Sequence, residues 1–235
     1  MMPQGQSIPT TKTAEPDLSH AATVWVSAKS GSSMLNRYII VDDFYNNPDA
    51  LVEAALKTLK PDESPDGNYA GIMTKDAFLS EAHRDIFQKL TMEPSIDSST
   101  NANGRLRFTK ENDSFRFHIH YDVDVQTRWA GVVYLSKDHP KTEGTNFWRH
   151  KRTGLEIAPN TIEGFAQYGW KNFQDMKDFL ATEGLDESLW EKTMTIPYKY
   201  NRLVLFRPWL LHSPGPAFGD SLDNCRIVQT IFLGN

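Results

Sequence analysis

The rhythm of apolar and polar residues changes twice along this chain. From residue 1 to about 22, large apolar side chains are scarce among Thr, Ser, Pro and Gln, and such a stretch cannot bury enough surface to offset the entropy of ordering it. It predicts a flexible N-terminal tail or a loosely docked arm (1–22), followed by a single domain (23–235). The run Arg37-Tyr38-Ile39-Ile40-Val41-Asp42-Asp43-Phe44 is β-branched and aromatic and closes on turn formers, which predicts a strand. Asn47-Pro48-Asp49 then opens a helix, with Pro48 suited to the first turn. Leu51, Ala55, Leu56 and Leu59 continue it at helical spacing. A second helix is expected over 76–90, with Phe78, Ile86, Phe87 and Leu90 as its apolar side.

From Arg105 onward the pattern becomes extended. Strands are expected at 105–108, 114–121, 129–136, 145–150, 201–207 and 225–233. A helical, aromatic-rich segment at about 160–192, carrying Phe165, Tyr168, Trp170, Phe173 and Trp190, interrupts them. Helices first and strands afterwards predict an α+β domain, or a barrel-like double sheet with helices packed outside.

Composition narrows the function classes. A chain of 235 residues with 39% hydrophobic and 23% charged residues can build one sizeable core. A formal net charge of −5 and the lack of a Lys/Arg cluster argue against a nucleic-acid partner. Cys225 is the sole cysteine, so no internal disulfide is possible. No apolar run reaches the ~20 residues that span a bilayer, and no secretory h-region opens the sequence. No membrane association and a cytoplasmic location are therefore expected.

The chemistry concentrates in two segments. In Phe117-His118-Ile119-His120-Tyr121-Asp122, read as a strand, His118, His120 and Asp122 share one face while Phe117, Ile119 and Tyr121 share the other. Two imidazoles and a carboxylate suit a metal better than they suit an exposed sheet face. His120 and Asp122 are the expected ligand pair, with His118 as a cavity-lining neighbour. Of the other histidines, His212 is the best third ligand, because it ends the strongly apolar segment Leu203-Val204-Leu205-Phe206-Arg207-Pro208-Trp209-Leu210-Leu211 and precedes a Pro/Gly-rich loop. A two-His, one-carboxylate set is the facial arrangement that holds iron(II) and leaves positions open for oxygen donors. Arg226 begins the apolar strand Ile227-Val228-Gln229-Thr230-Ile231. A guanidinium there needs an anion, which is either an internal acid or the carboxylate of a ligand, unless it lies exposed at the strand end.

In this order the residues resemble the iron(II)/2-oxoglutarate-dependent dioxygenase superfamily, in particular its prolyl-4-hydroxylase-like members and an uncharacterised bacterial branch of them. The resemblance covers about residues 37–235. It runs through Tyr38–Ala55, His120-Tyr121-Asp122, Trp129-Ala130-Gly131-Val132-Val133-Tyr134-Leu135, Gly144-Thr145-Asn146-Phe147, His212 and Arg226. It implies a double-stranded β-helix (a jelly-roll, cupin-like barrel) with N-terminal helices outside and a helical insertion. It also implies metal ligands His120, Asp122 and His212, with Fe(II) and 2-oxoglutarate as cofactors. Arg226 would lie on the distal carboxylate of 2-oxoglutarate, and Tyr134 would either bond the cosubstrate or serve as a core tyrosine. The implied reaction couples oxidation of a small-molecule or amino-acid-derived substrate, in the simplest case hydroxylation, to release of succinate and carbon dioxide.

Two other classes fit parts of the pattern. His118-x-His120-x-Asp122 echoes the metallo-β-lactamase-like zinc hydrolases, although Val123 stands where that pattern wants another histidine. A cupin-like barrel can also bind a ligand without catalysis. The insertion aromatics could form a lid over the mouth, though packed helix faces explain most of them. Arg149, Lys151 and Arg152 could receive an acidic substrate, though a solvated charge run is the simpler reading.

Overall fold

The computed structural model describes residues 15–16, 19, 23–30, 33–59, 70–93, 96–97, 101–113, 118–122, 126–139 and 143–234. The domain begins with two antiparallel strands, β1 (Thr23–Ser30) and β2 (Ser33–Val41). Within the N-terminal arm, Pro16 is buried and bridges to Tyr45. Helix α1 (Pro48–Thr58) starts where expected: the Asn47 side chain accepts from the Ala50 N–H and Pro48 occupies the first turn. After the two-residue β3 (Ile72–Met73), α2 (Glu81–Thr91) begins five residues later than the apolar spacing suggests. Ser80 decides the boundary, because it forms a capping box with His83, whose Nδ1 accepts from the Ser80 N–H.

The strands β4 (Ile96–Asp97), β5 (Leu106–Thr109), β6 (Thr127–Tyr134) and β7 (Glu143–His150) follow. The insertion contains α3 (Ile162–Ala166), α4 (Phe173–Glu183) and a 3-10 turn at Glu187–Leu189. It ends at Trp190, which starts β8 (Trp190–Pro197) and does not continue the helical segment. Strands β9 (Leu203–Phe206), β10 (His212–Pro214) and β11 (Arg226–Gly234) complete the chain.

All strand pairs are antiparallel. They form a large sheet, ordered β1-β2-β9-β6-β11-β5-β3 with β4 also on β11, and a small sheet, ordered β10-β7-β8. His120 adds a single bridge to His212 at the free edge of β10. Among the described residues no strand pairing joins the two sheets, so the expected barrel is not closed by hydrogen bonds. What stands is a mixed α/β fold of two mostly separate antiparallel sheets.

Period-two alternation places the core. Ile39, Val41, Leu203, Leu205, Ile227 and Ile231 face α1 and α2, meeting Leu51, Ala55, Phe87 and Leu90. Their neighbours Tyr38, Val204, Phe206, Tyr134 and Val228 face Phe147, Ile196 and Tyr198 on the side of the small sheet. The large sheet is thus buried on both faces, which explains its near-continuous apolar runs. Each such side chain, fully buried, contributes about 1.5–3 kcal/mol. A third cluster packs the insertion residues Phe165, Met176 and Leu180 against Ile119, Trp148 and Leu211. The insertion therefore braces the back of the segments that carry the histidines.

Candidate metal centre

The expected strand at 114–121 is not regular where it can be described. Residues 114–117 lie outside the described residues, 118–119 bend, and only His120 pairs, with His212. That pairing is reciprocal: the His120 N–H donates to the His212 carbonyl at 2.9 Å, and the His212 N–H donates back at 2.8 Å. The Asp122 N–H donates to the Pro208 carbonyl at 2.8 Å. The backbone of residues 208–212 thereby fixes both members of the His120/Asp122 pair, and His212 lies on the same stretch.

The three side chains converge. His212 Nε2 lies 3.1 Å from Asp122 Oδ2, and His120 Nε2 lies 3.6 Å from Asp122 Oδ1. One ligand atom from each of the three lies within 4.8 Å of the others. Cis donors about 2.1 Å from a common ion stand about 3 Å apart, so this group can hold a metal ion. Nδ1 of His120 lies 2.9 Å from the His118 carbonyl, and Nδ1 of His212 lies 2.8 Å from the Leu210 carbonyl. A carbonyl only accepts, so each Nδ1 carries the proton and each Nε2 presents its lone pair inward. Burial, then the neighbouring His212, push the His120 imidazole down to about 4 against the pull of Asp122. The ring is neutral at physiological pH, as a metal ligand must be.

His118 does not join this group. The bend turns its ring away, and Nε2 meets Glu187 Oε1 at 2.5 Å on the insertion. Its contribution to the site is its backbone carbonyl. The alternation argument failed here because it assumed an extended backbone that the bend interrupts.

The triad lines a cavity of about 110 Å³ that opens to solvent, shared with Arg107, Thr145, Arg226 and apolar side chains such as Phe206 and Phe232. Arg226 is buried, and its Nη2 donates to the Gly144 carbonyl at 3.1 Å. Its Nε has no partner, and no carboxylate among the described residues pairs with it. The ring centroids of Tyr134 and Tyr198 lie 5.9 Å from its guanidinium carbon. Of the alternatives open for Arg226, exposure and an internal acid are both absent among the described residues.

Tyr134 does not line the cavity. Its ring stacks on Tyr198 in the core, and its hydroxyl shares a 2.7 Å hydrogen bond with Thr145 Oγ1. Burial pushes that hydroxyl up to about 12, so it stays protonated. Thr145 is the residue that reaches the cavity, and sequence reasoning passed over it although it sits in the quoted Gly144-Thr145 motif. Gly144 is obligatory, because a Cβ there would stand 2.5 Å from the Tyr134 hydroxyl and 2.7 Å from the Ile196 carbonyl.

None of Tyr168, Trp170, Phe173 and Trp190 lines the cavity. Trp190 is buried, Tyr168 stacks on Trp170, and Phe173 packs edge-on against Tyr121. Arg149 pairs with Glu156 and Glu191, Arg152 with Glu183, and Lys151 donates to the Ser188 carbonyl. Arg107 went unnoticed in sequence, because alternating arginines on a strand read as a solvent face. Among the described residues no helix is long and apolar enough to cross a membrane.

The chain belongs to the family of unknown function DUF6445, whose profile matches residues 26–215. That span takes in His120, Asp122 and His212 and ends before Arg226. No curated protein matches the chain.

Proposed function

We propose that this protein is an iron(II)- and 2-oxoglutarate-dependent oxygenase that oxidises, in the simplest case hydroxylates, a small-molecule or amino-acid-derived substrate, with succinate and carbon dioxide as coproducts. One observation carries the reading: a converging His/His/Asp set shares its cavity with a buried arginine that no acid of the described protein satisfies. The donor set suits iron(II). The orphaned guanidinium suits the far carboxylate of a dicarboxylate.

The strand order supports the finer fold assignment. From β5 onward the chain visits the large sheet, the small-sheet edge at His120, the large sheet at β6, the small sheet at β7 and β8, then large, small and large again. Eight segments shared in this way between two antiparallel sheets are the makings of a jelly roll, the double-stranded β-helix.

Bound iron(II) supplies the dioxygen activation that side chains cannot. The protein's part is positional. His120 and His212 present lone pairs whose direction the carbonyls of residues 118 and 210 fix. Asp122 brings the one negative charge of the described cavity lining. Arg226 and Thr145 receive the carboxylate, with Tyr134 holding the Thr145 hydroxyl. Phe206, Val228 and Phe232 keep the space around them dry.

The two-zinc hydrolase alternative needs His118 beside His120, and that ring lies on Glu187. The non-catalytic alternative gives no reason to keep both the triad and an unsatisfied arginine. Anaerobic addition of iron(II) and 2-oxoglutarate to the apoprotein tests the proposal. A visible charge-transfer band is expected in the wild type and is lost in His120→Ala. No band in the wild type, or an unchanged band in the variant, refutes it.

A further inference from the structure

No residue of the helical insertion lines the cavity, yet its final segment, 183–190, is fastened to β7 on one side and to the histidine segment on the other. The fastening to β7 centres on Glu183, the last residue of α4. Its Oε2 lies 2.8 Å from His150 Nε2, and its Oε1 accepts from Arg152 Nη2 at 2.7 Å. The Thr153 N–H donates to His150 Nδ1 at 3.3 Å, so Nδ1 is the bare nitrogen and Nε2 carries the proton that meets Glu183. The ring is buried between Phe179 and Trp190, whose centroids lie 5.0 and 4.8 Å away. Lys151 strengthens the tie, its N–H donating to the Leu189 carbonyl and its Nζ to the Ser188 carbonyl.

On the other side, segment 183–190 grips the backbone just before His120. The Gly184 carbonyl accepts from the Ile119 N–H at 3.0 Å. A Cβ on Gly184 would stand 2.8 Å from the Ile119 carbonyl, so the two backbones meet with no side chain between them to absorb a shift. One residue back, the His118 carbonyl fixes Nδ1 of His120. The His118 ring meets Glu187, on the same segment. Strand β7 also holds the other imidazole, because Phe147 pairs with His212 across the ladder. One strand therefore places both histidines, His212 directly and His120 by way of Glu183.

We propose that the insertion is a clamp on the metal centre and that Glu183 is its positioning residue. Without that carboxylate the buried Nε2–H of His150 loses its acceptor, the end of α4 loosens from β7, and residues 118–119 lose the hold that aims His120. This inference rests on the metal-binding part of the oxygenase reading and is independent of 2-oxoglutarate. Groups that orient a metal ligand through hydrogen bonds change metal affinity by roughly 10- to 100-fold. Glu183 acts through two further contacts, so the lower end of that range applies.

The test measures zinc(II) affinity of the full chain by competition with a chelating dye, together with the visible spectrum of the cobalt(II)-loaded protein, which reports ligand geometry. Glu183→Ala is expected to weaken zinc(II) binding about tenfold and to alter the cobalt(II) spectrum. Glu183→Gln, which keeps an acceptor for His150, should restore most of both. Gly184→Ala leaves the His150 pair in place and presses on the Ile119 carbonyl, so it should reproduce the loss. Asp42→Asn, outside the cavity lining, controls for lowered stability and should bind both ions as the wild type does. Wild-type affinity and spectrum in Glu183→Ala, or an equal loss in Asp42→Asn, would overturn the inference. If Glu183→Ala yields no folded protein, unchanged zinc(II) binding in Gly184→Ala overturns it. A wild type that binds no zinc(II) is a different result: it removes the metal reading itself, and this inference with it.

Discussion

Arg226→Met separates stability from function at a single position. The wild-type side chain is buried, and its Nε has no partner among the described residues. An orphaned buried donor costs about 1–3 kcal/mol, more when it carries charge. Methionine keeps the aliphatic stem and removes that cost. It also removes the Nη2 bond to the Gly144 carbonyl, worth about 1 kcal/mol, but that carbonyl keeps the Gly215 N–H at 2.8 Å. The net expectation is a gain of about 1 kcal/mol, a rise in Tm of roughly 2–4 °C for a chain of this size. The ligand term runs the other way. A ligand at a hundred times its Kd stabilises by about 2.7 kcal/mol. Losing a charge-assisted carboxylate contact of about 1.5–3 kcal/mol lowers affinity roughly 10- to 150-fold, which removes between about half and nearly all of that shift. Differential scanning fluorimetry with and without zinc(II) and 2-oxoglutarate reads both terms. The variant should melt higher when empty and gain little from ligand. A variant that melts lower when empty and keeps the full ligand shift would show that Arg226 is a structural residue with a partner of its own.

Three further outcomes follow from the geometry. Gly144→Ala forces a methyl against the Tyr134 hydroxyl and the Ile196 carbonyl, so a loss of about 1–3 kcal/mol in urea unfolding is expected, together with weaker 2-oxoglutarate binding as Thr145 and Arg226 shift. Asp42 accepts from Arg202 Nε at 2.6 Å and Lys199 Nζ at 2.9 Å, and the Arg202 hydrogen bond leads in holding its carboxyl below the ordinary value of 3.8. Its contribution is therefore complete above pH 3.8 and fades as the pH falls through the depressed value. Asp42→Asn should cost about 1 kcal/mol at neutral pH and flatten the acid limb of the stability curve. Burial pushes the Cys225 thiol up to about 11, so iodoacetamide at pH 8 should leave the native protein unlabelled by mass spectrometry and label it in denaturant.

Much of this was legible in the sequence because periodicity survives wherever a face is buried. Strands β2, β6, β9 and β11 carry alternating apolar residues that serve two cores, so their signal is doubled, and α1 announces itself through Asn47-Pro48. Strand β8 was hidden: among the described residues it pairs only with β7, three of its eight positions are exposed, and a register shift near Trp148 breaks its alternation. The short β3, β4 and β10 carry too few residues to show any period. At the site, His120, Asp122, His212 and Arg226 could be singled out because few residue types can ligate a metal ion or bind a carboxylate, and the structure gathers these four around one cavity. The bend at 118–119 could not be foreseen, because nothing local distinguishes it from a strand. The insertion imposes it from a distance, through the Ile119 N–H bond to the Gly184 carbonyl and the packing of Ile119 beneath Met176 and Leu180. Arg107 and Thr145 escaped notice for a related reason: their side chains become interesting only once the opposite wall of the cavity is in place.

The reciprocal backbone bridge between residues 120 and 212 has a mechanical corollary. Two imidazoles clasped in this way cannot drift apart independently, so loading and emptying the site should deform it mainly at the carboxylate of residue 122. Ions whose preferred bite differs from the spacing set by the clasp would be met by a frame that does not yield, and discrimination among divalent metals would then be decided during folding, before any ion arrives.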